Sequence, residues 1–132
     1  MGNDIGSGLT MFILDDEEDI CIFSKRFFEK RGFIVKTSLT IKDALDSISK
    51  MKFDVALLDH HMKDGSGMDV LKAFREKQAQ CHCIMLTVEE DKTVMAEAKK
   101  MGAADYLLKP LILMDIEKAI DKAVKKSKGK AR

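Results

Sequence analysis

Five short apolar runs alternate along the chain with segments whose apolar residues recur at helical spacing. The runs are Thr10–Leu14, Phe33–Thr37, Phe53–Leu58, Cys83–Leu86 and Tyr106–Leu108. Within a run, apolar and polar residues do not strictly alternate, which is typical of strands whose two faces are both covered. Strands that take turns with helices in this way indicate parallel pairing with right-handed crossovers. The sequence therefore predicts an α/β fold, a single doubly wound five-stranded parallel sheet with helices on both faces.

The segments between the runs carry signals for the start, the buried face or the end of a helix. Thr40, Ser66 and Asp91 each precede a periodic segment and can cap its first turn. Gly32 and Gly102 follow periodic segments and end the first and fourth helices. The residues predicted to face the core are, helix by helix, Ile20, Phe23, Phe27 and Phe28; Ile41, Ala44, Leu45 and Ile48; Met68, Leu71 and Phe74; Val94, Met95, Ala98 and Met101; and Leu113, Ile116, Ile120 and Val124.

The length of 132 residues fits one domain with its own core. Residues 1–9 are Gly-rich and polar, and predict a flexible N-terminal segment. Residues 10–126 make up the predicted domain, whose last helix is expected at Leu113–Lys126. Residues 127–132 are predicted to form a basic, frayed C-terminal tail.

The net charge and the cysteine content indicate which kinds of partner and which cellular compartment to expect. The net charge of +1 suggests neither a nucleic acid nor a membrane surface as a partner. No apolar stretch approaches the roughly 18 residues needed to span a bilayer, and the N-terminus does not have the pattern of a secretory signal. The three cysteines, an odd number, do not suggest a disulfide framework and fit small buried residues in a reducing cytosol. We therefore expect a cytoplasmic protein.

Polar side chains close four of the five runs. Asp15 and Asp16 follow the first run, Asp59 the third, Thr87 the fourth and Lys109 the fifth. Because ligands of open α/β sheets bind outside the carboxyl ends of the strands, these side chains are expected to meet at one edge. Three neighbouring carboxylates repel one another unless a cation enters, and Mg²⁺ prefers oxygen ligands. The sequence therefore predicts a Mg²⁺ and phosphate site.

The predicted chemistry is phosphoryl transfer, which needs a nucleophile, a metal and donors for the phosphoryl oxygens. Asp59 is the predicted nucleophile and would form an acyl phosphate; its carboxylate is ionised at neutral pH and needs no general base. Asp16 is expected to hold Mg²⁺ directly, with Asp15 close by or acting through water. The Thr87 hydroxyl and the Lys109 ammonium are expected to bind the remaining phosphoryl oxygens.

Over about residues 10–126 the chain resembles a response-regulator receiver domain of two-component signalling, the family of the chemotaxis response regulator. The motifs that carry the resemblance are Asp15-Asp16, Asp59 followed by Met62 and Gly67, Thr87, and the segment from Gly102 to Pro110. The resemblance implies the flavodoxin-like strand order 2-1-3-4-5. It also implies a phosphorelay protein that takes a phosphoryl group onto Asp59 from a histidine kinase or a histidine phosphotransfer protein.

The resemblance further implies individual roles. Asp59 is the implied phosphoacceptor, Thr87 and Lys109 sense the phosphoryl group, and Tyr106 is the aromatic residue whose rotamer follows Thr87. The implied ligands of Mg²⁺ are Asp15, Asp16, Asp59 and the backbone carbonyl of His61. The Lys109–Pro110 bond is usually cis in the family, which fits the low cis penalty of proline.

The mechanism that the resemblance implies is a two-state switch. Phosphate on Asp59 would draw Thr87 inward and leave space for Tyr106 to turn in. The surface within residues 91–126 would then change its preference for a downstream protein or output domain, and a homodimer is compatible with this scheme. The domain would catalyse its own phosphorylation and dephosphorylation only, so it is not expected to be an enzyme for other substrates.

Two positions differ from the usual family residue, and two others are variable in the family. Lys63 stands where the family usually has proline, so the loop after Asp59 is expected to be looser. Val88 follows Thr87 where a small residue is common, and its bulk is expected to narrow access to the phosphate. His61 and Glu89 occupy variable positions that line the site, so we expect an altered lifetime of the acyl phosphate.

Three alternative functions compete with this interpretation. A Mg²⁺-dependent aspartyl-phosphate phosphohydrolase would commonly carry a second acid two residues after the nucleophile, where this chain has His61. A flavodoxin-like cofactor binder would need a loop rich in Ser, Thr or Gly after the first strand, where this chain has a run of acids. A receiver domain that binds proteins without being phosphorylated is the third alternative.

Overall fold

The computed structural model describes residues 8–110 and 112–130. Its strands are β1 (Thr10–Leu14), β2 (Ile34–Ser38), β3 (Val55–Asp59), β4 (His61–Met62), β5 (Gly65–Ser66), β6 (His82–Thr87) and β7 (Asp105–Leu108). Its helices are α1 (Glu18–Glu29), α2 (Ile41–Lys50), α3 (Gly67–Lys77), α4 (Lys92–Lys100) and α5 (Leu113–Lys130).

Five of these strands form one parallel sheet in the order β2-β1-β3-β6-β7. Since β6 and β7 are the fourth and fifth strands of this sheet along the chain, the predicted order 2-1-3-4-5 is confirmed. The antiparallel pair β4-β5 was not predicted. Each of its strands has only two residues, too few for a periodic pattern to show.

The core consists of two layers, one on each face of the sheet. Neighbouring residues of β1 alternate between them: Phe12 and Leu14 pack toward α2, α3 and α4, while Met11 and Ile13 pack toward α1 and α5. The same alternation continues along β3 and β6. Both faces of each central strand are therefore buried, which is why the strands read as apolar runs.

The predicted helix starts are confirmed by side-chain capping. Thr40, Ser66 and Asp91 each accept a hydrogen bond from a backbone N–H of the first turn, at 3.0 Å for Thr40, 3.1 Å for Ser66 and 3.0 and 3.1 Å for Asp91. These bonds satisfy amides that have no partner within the helix.

Two residues predicted to face the core lie on the surface. Phe23 is 69% exposed and Leu45 is 39% exposed. In α1 the buried stripe runs through Cys21, Ser24 and Phe28, and Phe23 lies to one side of it. The prediction was wrong here because it followed the large apolar residues, whereas the sheet packs against a stripe that includes a serine.

The ends of the predicted domain differ in detail from the sequence boundaries. Gly8 and Leu9, which were expected in the flexible segment, form backbone hydrogen bonds with the segment that leads into β2. The Gly8 N–H donates to the Gly32 carbonyl, and the Leu9 carbonyl accepts from the Ile34 N–H. Helix α5 continues to Lys130, beyond the predicted end at Lys126. The rest of the predicted N-terminal segment, residues 1–7, and the last two residues of the predicted tail lie outside the described residues.

None of the helices in the described part of the chain combines the length and apolar character needed to cross a bilayer.

Candidate functional site

The first strand ends at a buried acid. Asp15 is 2% exposed, and its backbone N–H donates to the Ser38 carbonyl of β2 at 3.1 Å. Its carboxylate Oδ1 accepts from the Glu17 N–H at 2.9 Å, which orders the turn into α1. The buried strand and the turn together hold this carboxylate at the carboxyl edge of the sheet.

Asp59 closes β3 beside it and is 6% exposed. The chain after Asp59 folds back so closely that a Cβ at position 67 would overlap the Asp59 carbonyl oxygen. Glycine is therefore required at Gly67 by close backbone approach, and the Gly67 N–H donates to the His60 carbonyl at 2.9 Å.

Lys109 connects the two acids. Its Nζ lies 3.1 Å from Oδ2 of Asp15 and 3.3 Å from Oδ2 of Asp59. The backbone N–H of Lys109 donates to the Thr87 carbonyl at 2.6 Å, and the peptide bond to Pro110 is cis. The structure therefore brings together three side chains that the sequence placed at separate strand ends, those of Asp15, Asp59 and Lys109. The Thr87 backbone carbonyl is joined to the same group through the Lys109 N–H.

Burial and the opposite charges nearby shift the pKa values of Asp59 and Lys109 in opposite directions. Burial raises the pKa of Asp59, the Lys109 ammonium lowers it and the Asp15 charge raises it, with a net upward shift. Burial lowers the pKa of Lys109, but the charges of Asp15 and Asp59 outweigh burial and raise it. Lys109 therefore stays protonated between the two acids.

The carboxylates that could hold a metal ion form a slightly different group from the predicted one. Oxygen atoms of Asp15, Asp16 and Glu17 lie within 4.8 Å of one another. Glu17 was not predicted as a ligand, and Asp59, which was, lies outside this group. A set of oxygen donors alone suits a hard cation such as Mg²⁺.

The loop after Asp59 is tied down at two points. The Lys63 N–H donates to Asp16 Oδ2 at 2.9 Å, and the Asp64 carboxylate accepts from the Ile41 N–H at the start of α2, also at 2.9 Å. Lys63 and Asp64 form the turn between β4 and β5, which pair as a hairpin. The looser loop expected from Lys63 is thus not seen.

The predicted switch residues, Thr87 and Tyr106, lie on the neighbouring strands β6 and β7. Thr87 is 1% exposed and Tyr106 is 6% exposed. The Tyr106 hydroxyl is buried without a hydrogen-bond partner among the described residues, and burial raises its pKa, with the Thr87 side chain acting in the opposite direction. Val88 is 64% exposed, so its side chain is directed mainly to solvent.

Cys21 borders the site but is not a reactive group. Its Sγ donates to the Asp15 carbonyl at 3.4 Å, and burial, with the Asp15 charge, raises the pKa of the thiol to about 11. All three cysteines are buried and unpaired, as the sequence predicts for small core residues.

The response regulator receiver domain family model matches residues 11–121. The chain therefore belongs to the receiver-domain family of two-component signal transduction, and the resemblance inferred from its motifs is confirmed.

Individual relatives agree with this assignment. The photosynthetic apparatus regulatory protein RegA of Cereibacter sphaeroides is 27% identical over 117 residues, which cover 89% of this chain and 64% of RegA. A receiver domain of Clostridium thermocellum is 30% identical with a TM-score of 0.83, covering 91% of this chain and 97% of that chain. The BeF₃-activated DrrB receiver domain is 25% identical with a TM-score of 0.79, covering 89% of this chain and 97% of that one. The chain thus spans about 64% of the length of RegA.

Two features of the site were missed by sequence reasoning. Glu17 is visible in the sequence as one of several acids at the start of α1, but nothing there distinguishes it from a residue that only favours the helix dipole. The Lys63 amide gives no sequence signal, because the partner of a backbone N–H depends on how the loop folds.

Proposed function

We propose that Asp59 is the phosphoacceptor of a receiver domain that takes its phosphoryl group from a histidine kinase or a histidine phosphotransfer protein. The observation that carries the proposal is Lys109, whose Nζ lies between the Asp15 and Asp59 carboxylates at 3.1 and 3.3 Å. A buried carboxylate beside a cation and an acid cluster is arranged to receive a dianionic group together with a divalent cation.

In the transfer step a carboxylate oxygen of Asp59 forms a bond to phosphorus. The bond between phosphorus and the donor imidazole nitrogen breaks, and the electron pair leaves with the imidazole, which takes up a proton. Mg²⁺, held by Asp15, Asp16, Asp59 and the His61 carbonyl, would neutralise charge on the phosphoryl oxygens. Lys109 and the Thr87 hydroxyl would donate to oxygens of the transferred group.

The consequence of transfer would be a change at the face formed by α4, β7 and α5. Thr87 ends β6 and Tyr106 lies in β7, paired with β6, so a movement of Thr87 reaches this face through adjacent strands. We propose that a downstream protein or an output domain binds within residues 91–126, and that the protein acts in the cytoplasm. A second copy of the chain is a further candidate partner for the same face.

The domain would act on its own aspartyl phosphate and on no separate substrate. The phosphohydrolase alternative receives no support from the residue two positions after Asp59, because His61 is an exposed imidazole and not a second acid. Turnover of small phosphate esters by the purified protein would contradict this part of the proposal.

The test is chemical phosphorylation followed by intact mass spectrometry. The parent protein, Asp59→Asn and Asp46→Asn are incubated with Mg²⁺ and acetyl phosphate. Asp46 is a matched control, since it is an exposed acid of α2 whose carboxylate pairs with no described residue other than Lys50. We expect one added phosphoryl group on the parent and on Asp46→Asn, and none on Asp59→Asn.

Labelling of Asp59→Asn to the same extent as the parent would contradict the assignment of Asp59. If no protein is labelled, beryllofluoride binding decides the matter. Binding to the parent but not to Asp59→Asn supports a phosphoacceptor with a short-lived product, and no binding to either contradicts the proposal.

A further inference from the structure

A cavity of about 520 Å³ lies at the amino ends of the neighbouring strands β6 and β7. Cys81 and His82 border it where β6 begins, and Ala104 and Asp105 border it where β7 begins. Because β3, β6 and β7 run parallel, this edge of the sheet lies opposite the carboxyl edge that carries Asp59. The cavity is therefore separate from the site described above, and its volume is typical of small-molecule sites.

Four cationic side chains from three helices line this cavity. They are Arg75 of α3, Lys99 of α4, and Lys122 and Lys126 of α5. Among the described residues that line the cavity, Asp105 is the one acid. None of the four cations forms an ion pair with an acid in the described part of the chain. The lining is therefore strongly positive, although the whole chain has a net charge of only +1.

Arg75 is fixed in place and keeps donors free. Its Nη1 donates to the Cys81 carbonyl at 3.0 Å, and a Cβ at position 102 would lie only 2.8 Å from its Nε. Gly102, with a φ of +100°, thus lets the side chain pass close to the backbone. The other guanidinium N–H groups donate to no described residue. A planar guanidinium of this kind is suited to bind phosphate through two parallel hydrogen bonds.

Small side chains give the cavity its room. Five alanines lie among the charged residues of the lining, namely Ala79, Ala103, Ala104, Ala119 and Ala123. An inorganic phosphate ion would fill only a small part of the volume. The organic part of a larger phosphate would contact the alanine methyl groups and remove them from water. Charge and volume together therefore favour an organic phosphate over an inorganic one.

We propose that this cavity binds a small organic phosphate of nucleotide size. Its phosphate groups would accept hydrogen bonds from Arg75, and the three lysines would balance their remaining charge. Its uncharged part would lie against the alanines. The ligand would connect α3, α4 and α5. Binding there does not require Asp59, so its test is independent of the proposed function.

The chain offers two double variants that lose the same charge. Lys99→Gln combined with Lys122→Gln removes two cations that line the cavity. Lys100→Gln combined with Lys118→Gln removes two lysines of the same helices that do not line it. All four side chains are exposed, so neither combination is expected to unfold the protein. A difference in binding between the two variants reports the position of the charges and not their number.

The experiment is a calorimetric titration with adenosine diphosphate (ADP), without Mg²⁺ and at about 0.15 M salt, which screens weak long-range attraction. We expect the parent and the Lys100→Gln/Lys118→Gln variant to bind ADP equally well. The Lys99→Gln/Lys122→Gln variant should bind it at least about tenfold more weakly, because two charge-assisted contacts are lost. Adenosine, which has no charge, and inorganic phosphate, which has no organic part, should each bind the parent at least about tenfold more weakly than ADP.

Equal affinity of the two double variants for ADP would overturn the inference. Absence of saturable ADP binding to the parent would also overturn it, because recognition by charge and volume does not depend on the identity of the base. Inorganic phosphate that binds as tightly as ADP would overturn the assignment of an organic ligand. Saturable binding of duplex DNA without binding of ADP would overturn the inference and assign these cations to nucleic acid.

His82 supplies a second readout inside the cavity. Burial, followed by the charge of Arg75, lowers the pKa of its imidazole, while Asp54 acts in the opposite direction. An anion bound beside Arg75 adds negative charge there, so the pKa of His82 should rise when ADP is bound. NMR titration of the imidazole resonances with and without saturating ADP measures the change. An unchanged pKa of His82 would place the bound ADP elsewhere and overturn the inference.

Discussion

Burial of Asp59 disfavours the ionised carboxylate that the proposed function needs. Its carboxylate is 6% exposed, and burial raises its pKa although Lys109 lies 3.3 Å away. The charged form is therefore less favourable in the folded chain than in water. An acid with a raised pKa in the folded state costs stability once the unfolded state has ionised.

We expect Asp59→Asn to melt a few degrees above the parent protein at neutral pH, in the absence of metal. The folded pKa lies above the ordinary value of 3.8, so the parent loses stability as the pH rises from 3.8 through the folded pKa. The difference in Tm should accordingly be larger at roughly pH 7 than at roughly pH 4. Thermal melts of the parent, Asp59→Asn and Asp46→Asn measure it. A lower Tm for Asp59→Asn would mean that, in the parent protein, the ion pair between Asp59 and Lys109 stabilises the fold by more than burial of the carboxylate destabilises it.

Helix α1 shows how one element divides its apolar residues between core and surface. Phe28 is fully buried, and its ring lies 5.0 Å from that of Phe27 and 5.7 Å from that of Phe33, with both pairs edge-on. Phe23, one turn and a residue earlier, is 69% exposed. Arg31, just beyond the helix, stacks 3.7 Å over the Phe27 ring and pairs with Glu117 of α5 at 2.7 Å.

The two phenylalanines of α1 should therefore respond very differently to truncation. Phe28→Ala is expected to lower the free energy of unfolding by about 3 to 5 kcal/mol, because it removes a buried ring and leaves a cavity. Phe23→Ala is expected to change it by less than about 0.5 kcal/mol, because the ring is mostly in water already. Urea unfolding of both variants measures this difference. A comparable loss in Phe23→Ala would show that the burial of the two residues has been assigned wrongly.

At the scale of the whole molecule, the site is a product of sheet topology. Its residues come from the ends of β1, β3, β6 and β7, which are neighbours in the sheet although they are far apart in the sequence. A cation bound there would join the segments that follow β1 and β3, which lie far apart in the sequence. Binding to the folded state alone stabilises the entire fold by mass action.

The proposed Mg²⁺ site therefore predicts a stability effect. At a Mg²⁺ concentration of about 100 times the Kd, the folded state should gain about 2.7 kcal/mol, and removal of the ion with a chelator should reverse the gain. Asp16→Ala should abolish the effect, whereas Asp46→Asn should retain it. Melting curves with and without Mg²⁺ provide the measurement. An undiminished Mg²⁺ effect in Asp16→Ala would place the ion elsewhere.

Much of the fold could be predicted from the sequence because the signals are local. The strand runs reflect burial on both faces, and the caps at Thr40, Ser66 and Asp91 act within a single helical turn. The exposure of Phe23 and Leu45 could not be predicted in this way. Which stripe of an apolar helix faces the sheet depends on the contour of the sheet, and that contour is built from distant segments.

The sequence by itself determined the α/β class, the succession of elements and the polar residues at the strand ends, since each depends on residue type and short-range spacing. Only the tertiary structure decided that Lys109 lies between Asp15 and Asp59, that Glu17 joins Asp15 and Asp16, and that the Lys63 amide holds Asp16. The contacts of Lys109 and Lys63 join atoms far apart in the chain at distances near 3 Å. Such precision arises only after the sheet, the helices and the hairpin have packed against one another.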